Sequence, residues 1–146
     1  MASAECGQIG VDMKEIRING RKQFGGQIKG EALVSPGPLE GFTNADASKG
    51  VVTERDHQLY GIPYKGKILV YTYARGSGGF AVFGAGPNIA GAFVQHKSNA
   101  LSNTCAQIAR IPAVTDMEID PTTVIETGDT VFVNGDEGYV IVYKED

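Results

Sequence analysis

The chain has 146 residues, enough for one sizeable core and too few for two independent large ones. Thirteen Lys and Arg against seventeen Asp and Glu give a net charge of −4, which argues against nucleic acid or an anionic membrane as the default partner, since both need a concentrated basic face. A hydrophobic share of 42% with 21% charged residues places the chain among globular proteins, and 20 glycines without a three-residue period exclude collagen and mark a turn-rich β protein.

Residues 1–11 read as a loose lead-in to a single domain over 1–146. Lys14-Glu15-Ile16-Arg17-Ile18 alternates polar and apolar side chains, the pattern of a half-buried strand, and Asn19-Gly20 is a turn signal after it. Gln27 to Val34 reads as a second strand, stopped by Ser35-Pro36-Gly37-Pro38. Leu39 to Lys49 reads as loop, Gly50-Val51-Val52 as a short strand, and Glu54 to Tyr64 as a polar connection. Lys67 to Tyr73 is apolar nearly throughout, which suits a strand covered on both faces. Ala74 to Gly84 then reads as strand, tight turn and short helix. Ile89 to Val94 suits another buried strand. Ser98 to Arg110 carries Ala100, Leu101, Cys105, Ile108 and Ala109 at helical spacing, with Ser98 as N-cap. Ile111 to Val114 is a further strand, and Thr123 to Asp129 a turn-bearing link. Thr130–Val133 and Tyr139–Val142 flank Asn134-Gly135-Asp136-Glu137-Gly138 as a β-hairpin. Strands first, a βαβαβ-like middle and a closing hairpin predict an α/β chain arranged as a three-layer β/β/α domain.

The two cysteines, Cys6 and Cys105, and the two histidines, His57 and His96, make no metal-binding pattern, so no metal site is expected in this chain. The uncharged stretch from Gly76 to His96 contains six glycines and Pro87, which argues against a spanning helix, and the N-terminus shows no secretory pattern. A soluble, cytoplasmic protein is expected.

The sharpest chemical feature is Arg75-Gly76-Ser77-Gly78-Gly79, after a buried strand and before a predicted helix. Such a turn leaves backbone N–H groups unpaired at a helix N-terminus, where they attract anions. Gly76, Gly78 and Gly79 let a ligand approach the backbone closely, and Arg75 can pair with a carboxylate or phosphate. Ser77 sits at the tip, either as an N-cap or as a base once its proton is removed. Ser35 suits a turn, and His57 a hydrogen-bonded loop position. Asp46, Asp56, Asp116 and Asp120 are scattered. With so few candidates, the chain looks like half of a site.

An ordered set of motifs carries a family likeness. It comprises Gly30-Glu31-Ala32-Leu33-Val34-Ser35, Leu39, His57 with Leu59 and Gly61, Gly66-Lys67-Ile68-Leu69-Val70, Arg75-Gly76-Ser77 and Ile125-Glu126-Thr127-Gly128-Asp129. Together these resemble the small subunit, or swivel domain, of the aconitase X hydro-lyases, over residues 12 to 143. The resemblance implies a swivelling β/β/α domain that works with a large subunit. That subunit would supply the cysteines of an iron–sulfur cluster, leaving this chain without a cofactor of its own. It implies dehydration of a small hydroxy acid of the cis-3-hydroxy-L-proline or 5-phosphomevalonate type. The family's serine proton acceptor falls on Ser77, and Arg75, Gly76, Gly78, Gly79, Ser35 and His57 are implied around the substrate. The turn departs from many relatives in continuing Gly78-Gly79-Phe80, which leaves backbone donors where they have side-chain donors, and His57 is followed by Gln58 where they have proline.

Two other functions compete. One is a non-catalytic carboxylate- or phosphate-binding module with the glycine turn as its cradle. The other is a phosphohistidine swivel domain, which needs a nucleophilic histidine at a helix start; neither His57 nor His96 has that context.

Overall fold

The computed structural model describes residues 13–37, 39–40, 45–46, 49–52, 59–75, 83, 88–97, 107 and 109–145. Twelve strands lie among them: β1 Met13–Asn19, β2 Arg21–Phe24, β3 Gln27–Val34, β4 Leu39–Glu40, β5 Ala45–Asp46, β6 Val51–Val52, β7 Ile68–Tyr71, β8 Ala74–Arg75, β9 Ala92–Gln95, β10 Ala113–Thr115, β11 Thr130–Asn134 and β12 Tyr139–Glu145. Eight of them form one sheet in the order β1-β12-β11-β3-β7-β9-β10-β2.

That order forces the sheet to roll up. β1 and β2 stand at opposite ends of it, yet only Gly20 separates them in the chain. Laid flat, eight strands at about 4.8 Å spacing would hold the two ends roughly 34 Å apart, whereas one intervening residue spans no more than about 7 Å. The predicted turn at Asn19-Gly20 is therefore a corner, where the chain passes from one wall of the rolled sheet to the other. Gly20 donates its N–H to the Gly138 carbonyl at 2.8 Å, and Glu118 N donates to Asn19 O at 2.8 Å. A Cβ at Gly20 would meet Met117 Sδ at 2.6 Å and the Thr115 carbonyl oxygen at 2.8 Å, so the corner has no room for a side chain.

β3 is the second corner, because it serves both walls. Gln27 to Glu31 pair antiparallel with Asn134 to Thr130 of β11, while Ala32 to Val34 pair parallel with Ile68 to Val70 of β7. One wall is thus antiparallel (β1, β12, β11 and the first half of β3), and the other is parallel (the end of β3, then β7, β9 and β10) with β2 antiparallel at its edge. Ile18, Ala32, Val34, Ile68, Val70, Ala92, Val94, Val114, Val131, Val133, Val140 and Val142 fill the space between the walls. The alternate residues of the parallel wall, Leu33, Leu69, Tyr71, Phe93 and Ala113, form a second core on its outer face with Leu59, Tyr64 and Phe83. Both faces of the parallel strands are therefore buried, which is why Ile68–Tyr71 reads as continuously apolar.

The predicted β3 matches the observed strand end to end, and the predicted hairpin forms with its loop over 135–138. The predicted strands at 89–94 and 111–114 are shifted to Ala92–Gln95 and Ala113–Thr115. Leu39 to Lys49 is not all loop, since it contains β4, paired parallel with β8, and β5, paired antiparallel with β6. The stretch expected as a polar connection supplies Leu59 and Tyr64 to the core. Of the two predicted helices, only Phe83, in a 3₁₀ conformation, the helical Gln107 and Ala109, and Arg110, in a turn, are among the described residues. Phe83 is buried against Tyr64, with ring centroids 5.1 Å apart. No helix among the described residues is long and apolar enough to cross a membrane.

Replacing Gly20 by alanine is expected to destabilise the chain by about 1–3 kcal/mol through overpacking against the Thr115 backbone. Equilibrium urea unfolding measures it; an unchanged midpoint would show that the corner has slack.

Candidate functional site at the carboxyl edge of the parallel strands

In α/β sheets, ligands bind where parallel strands end. Here four such strands end together, and their last residues share one row. Val34 pairs with Val70, and the Ser35 N–H continues that ladder to the Val70 carbonyl at 2.8 Å, which sets Ser35 beside Tyr71. Tyr71 pairs with Gln95, and Val94 with Val114, which sets Gln95 beside Thr115. Strand alternation turns all four toward the outer face, continuing the lines of Leu33, Leu69, Phe93 and Ala113. One layer deeper that face is wholly apolar; at the carboxyl edge it carries a serine, a tyrosine, a glutamine and a threonine. Each is at most 2% exposed.

The hydrogen bonding of the row is incomplete. Ser35 Oγ donates to Gly37 O at 3.3 Å. The Gln95 side-chain amide donates to the Lys97 carbonyl, which fixes the amide's orientation. Gln95 Oε1 and Thr115 Oγ1 are buried without any hydrogen-bond partner. Beyond the row, His96 N donates to Tyr71 O at 3.1 Å, Lys97 N to Thr72 O at 3.0 Å, and Met117 N to His96 O at 3.1 Å, so the rim is tied strand to strand.

The turn Glu126-Thr127-Gly128-Asp129 determines where β3 delivers Ser35. Beyond Glu31, β3 loses β11 as its neighbour, and this turn takes over the ladder. Ala32 N donates to Asp129 O at 2.9 Å, Gly128 N to Ala32 O at 3.0 Å, and Val34 N to Thr127 Oγ1 at 2.9 Å. Gly128 has φ +100°, a conformation that favours glycine. Asp129 Oδ2 accepts the Glu126 N–H at 2.8 Å and the Lys144 ammonium at 2.5 Å. Burial opposes the charge on Lys144, but its hydrogen bonds to Asp129 and Glu126 outweigh that and raise its pKa. Away from the row, burial and then Asp46 raise the Tyr64 pKa.

Of the residues singled out from sequence, Arg75 ends β8, opposite Glu40 of β4, four residues past the end of β7 on the same edge of the sheet as the row. Ser35 lies in the row itself, as a buried group rather than an open turn residue. Gly76, Ser77, Gly78, Gly79 and His57 lie outside the described residues. Tyr71, Gln95 and Thr115 escape sequence reasoning. The available signal was that three apolar runs, Ile68-Leu69-Val70, Ala92-Phe93-Val94 and Ala113-Val114, each end on a polar residue. No group of three His, Cys, Asp or Glu able to hold a metal occurs among the described residues.

Comparison with known proteins places this geometry in a family. The family model of the aconitase X swivel domain matches residues 17–142, and the chain belongs to that family. A relative from Methanosarcina mazei, named phosphomevalonate dehydratase small subunit, is 34% identical over 91% of this chain and 95% of its own. One of the same name from Methanocaldococcus jannaschii is 34% identical over 89% of this chain and all of its own. The crystal structure of Thermococcus kodakaraensis aconitase X in its holo-form superposes with a TM-score of 0.79 at 28% identity, covering 88% of this chain and 99% of that one. The three-layer swivel fold expected from sequence is thereby supported.

Two outcomes are expected for the turn beneath Ser35. Thr127→Val leaves the Val34 N–H without its acceptor, with a stability loss of about 1 kcal/mol and faster hydrogen exchange at that amide. Exchange as slow as in the wild type would show that the hydroxyl is dispensable. For Lys144, a pKa raised on folding means that its contribution is complete below the ordinary lysine value of 10.5 and is lost as pH rises through the folded value. The stability difference between wild type and Lys144→Met should therefore shrink above that pH in urea titrations; a constant difference would exclude the charge as its origin.

Proposed function

We propose that this chain is the small subunit of a cytoplasmic dehydratase that removes water from 5-phosphomevalonate, working with a large subunit. The observation that carries the reading is the end-to-end likeness to small subunits of that name. The polar row at the carboxyl edge supports it, since a binding surface is expected there. The cis-3-hydroxy-L-proline type has no counterpart among these relatives.

The iron–sulfur cluster implied by the family does not fit this chain. Its two cysteines cannot supply the three or four thiolates that a cluster needs, and the described residues offer no metal-binding group. In this reading the large subunit holds the cluster.

What this chain contributes is a base and an anion site. Dehydration next to a carboxylate breaks a C–H bond and a C–O bond and forms a C=C bond. The proton passes to a base, and the hydroxyl leaves as hydroxide. In this reading the Ser77 alkoxide takes the proton, and backbone N–H groups of Gly76, Gly78 and Gly79 stabilise its negative charge. Arg75 pairs with an anionic group of the substrate. Ser35 and His57 are the weaker candidates for contact with the substrate. Dividing the site between two bodies makes closure of the subunits a condition of turnover.

In the reconstituted complex, Ser77→Ala is expected to lower kcat about 10²- to 10⁴-fold while the subunits still co-purify. Arg75→Ala should raise KM more than it lowers kcat. Near-normal turnover by the serine variant would reduce Ser77 to a helix cap and favour the anion-binding module instead.

A further inference from the structure

We propose that Gln95 and Thr115 read a hydroxyl group of the ligand and set the specificity of the carboxyl-edge site; this deepens the dehydratase reading and rests on it. Both side chains are buried, at 0% and 2% exposure, and both carry an oxygen without a partner. Buried polar atoms are nearly always paired, so an unpaired one in a well-formed sheet marks a place where something else binds. The fold does not ask for polarity there. The residues two positions earlier on the same strands and the same face, Phe93 and Ala113, are apolar and buried.

The chemistry of the pair selects the group that fits. One N–H of the Gln95 amide is committed to the Lys97 carbonyl, and the atom left without a partner is Oε1, which can only accept. Thr115 Oγ1 can donate or accept. The two residues stand side by side on neighbouring parallel strands, one strand spacing of about 4.8 Å apart. A hydroxyl satisfies both, donating to Gln95 Oε1 and accepting from Thr115 Oγ1. An ionised carboxylate or phosphate has no hydrogen to give Gln95 Oε1 and would meet its lone pairs, so that oxygen would stay unpaired. A cation would be buried in a row that holds no carboxylate. Of the three polar groups of 5-phosphomevalonate, the hydroxyl alone is neutral, and Arg75 on the same edge suits an anionic one.

Thr115→Val is the cleanest test because it deletes the hydroxyl and keeps the shape. In the complex with the large subunit, KM for 5-phosphomevalonate should rise about 3- to 10-fold, the melting temperature should not fall, and Gln95→Met should show the same rise in KM. Calorimetry with an analogue lacking the hydroxyl should give the same dissociation constant for wild type and Thr115→Val. An unchanged KM, or equal loss of affinity for the analogue, would overturn the inference, as would a lower melting temperature without a change in KM, which points to an internal water. Wild-type complex that binds 5-phosphomevalonate without turnover defeats the dehydratase reading alone, and the dissociation constants of wild type and variant then decide this one. Absence of any binding by the wild type defeats both.

Discussion

One strand that must serve two walls is the constraint on which the rest of the structure depends. β3 gives its first five residues to the antiparallel wall and its last three to the parallel one. At the change of partner its backbone would lose half its hydrogen bonds, and a buried N–H without an acceptor is costly. The turn at Glu126–Asp129 supplies what is missing, with two backbone bonds to Ala32 and the Thr127 hydroxyl for Val34. Lys144 and Asp129 then pin that turn to β12. The motif Ile125-Glu126-Thr127-Gly128-Asp129 is therefore explained without any contact to substrate. Ile125 is buried in the interior, and the four residues after it complete a ladder.

From that corner the position of the edge follows. The parallel register fixed at Val34 and Val70 carries across to Val94 and Val114, so four strand ends come into line. Alternation does the rest, since a residue that follows an inward valine must face outward. The same geometry that buries valines between the walls thus sets Ser35, Tyr71, Gln95 and Thr115 side by side on the other face. A one-residue slip at β3 would turn Val34 to the outer face and Ser35 between the walls, so the place of Ser35 in the row depends on a register supported by a threonine more than ninety residues away in the chain.

Much of the fold was legible because burial leaves a periodic trace. Gln27–Val34 alternates where it borders solvent and becomes continuously apolar where it enters the parallel wall, and Ile68–Tyr71 is apolar throughout because both its faces are covered. The hairpin announced itself by Asn134-Gly135 between two alternating runs. Arg21-Lys22-Gln23-Phe24 left no such trace, being an edge strand held by pairing with β10. β4, β5 and β8 have two residues each, too few for any period. The site was half legible. Arg75-Gly76-Ser77 stands out as local chemistry, and Ser35 was noticed for its turn. Tyr71, Gln95 and Thr115 are scattered through forty-five positions and become a group only when register is known.

In the proposed site, recognition divides by charge. A neutral, buried row suits an anion poorly, because it holds no cation to balance the charge and Gln95 Oε1 presents lone pairs to it. A glycine turn beside an arginine is suited to anions for the converse reason, since backbone N–H groups and a guanidinium offer donors only. A ligand with anionic ends and a hydroxyl between them would be read by both, each excluding what the other accepts. That division also accounts for how the unpaired oxygens of Gln95 and Thr115 persist in a stable fold. Apolar residues at those positions would relieve the free chain of two unmet hydrogen bonds, but they would leave a bound hydroxyl with none, so what the fold loses there is recovered in selectivity.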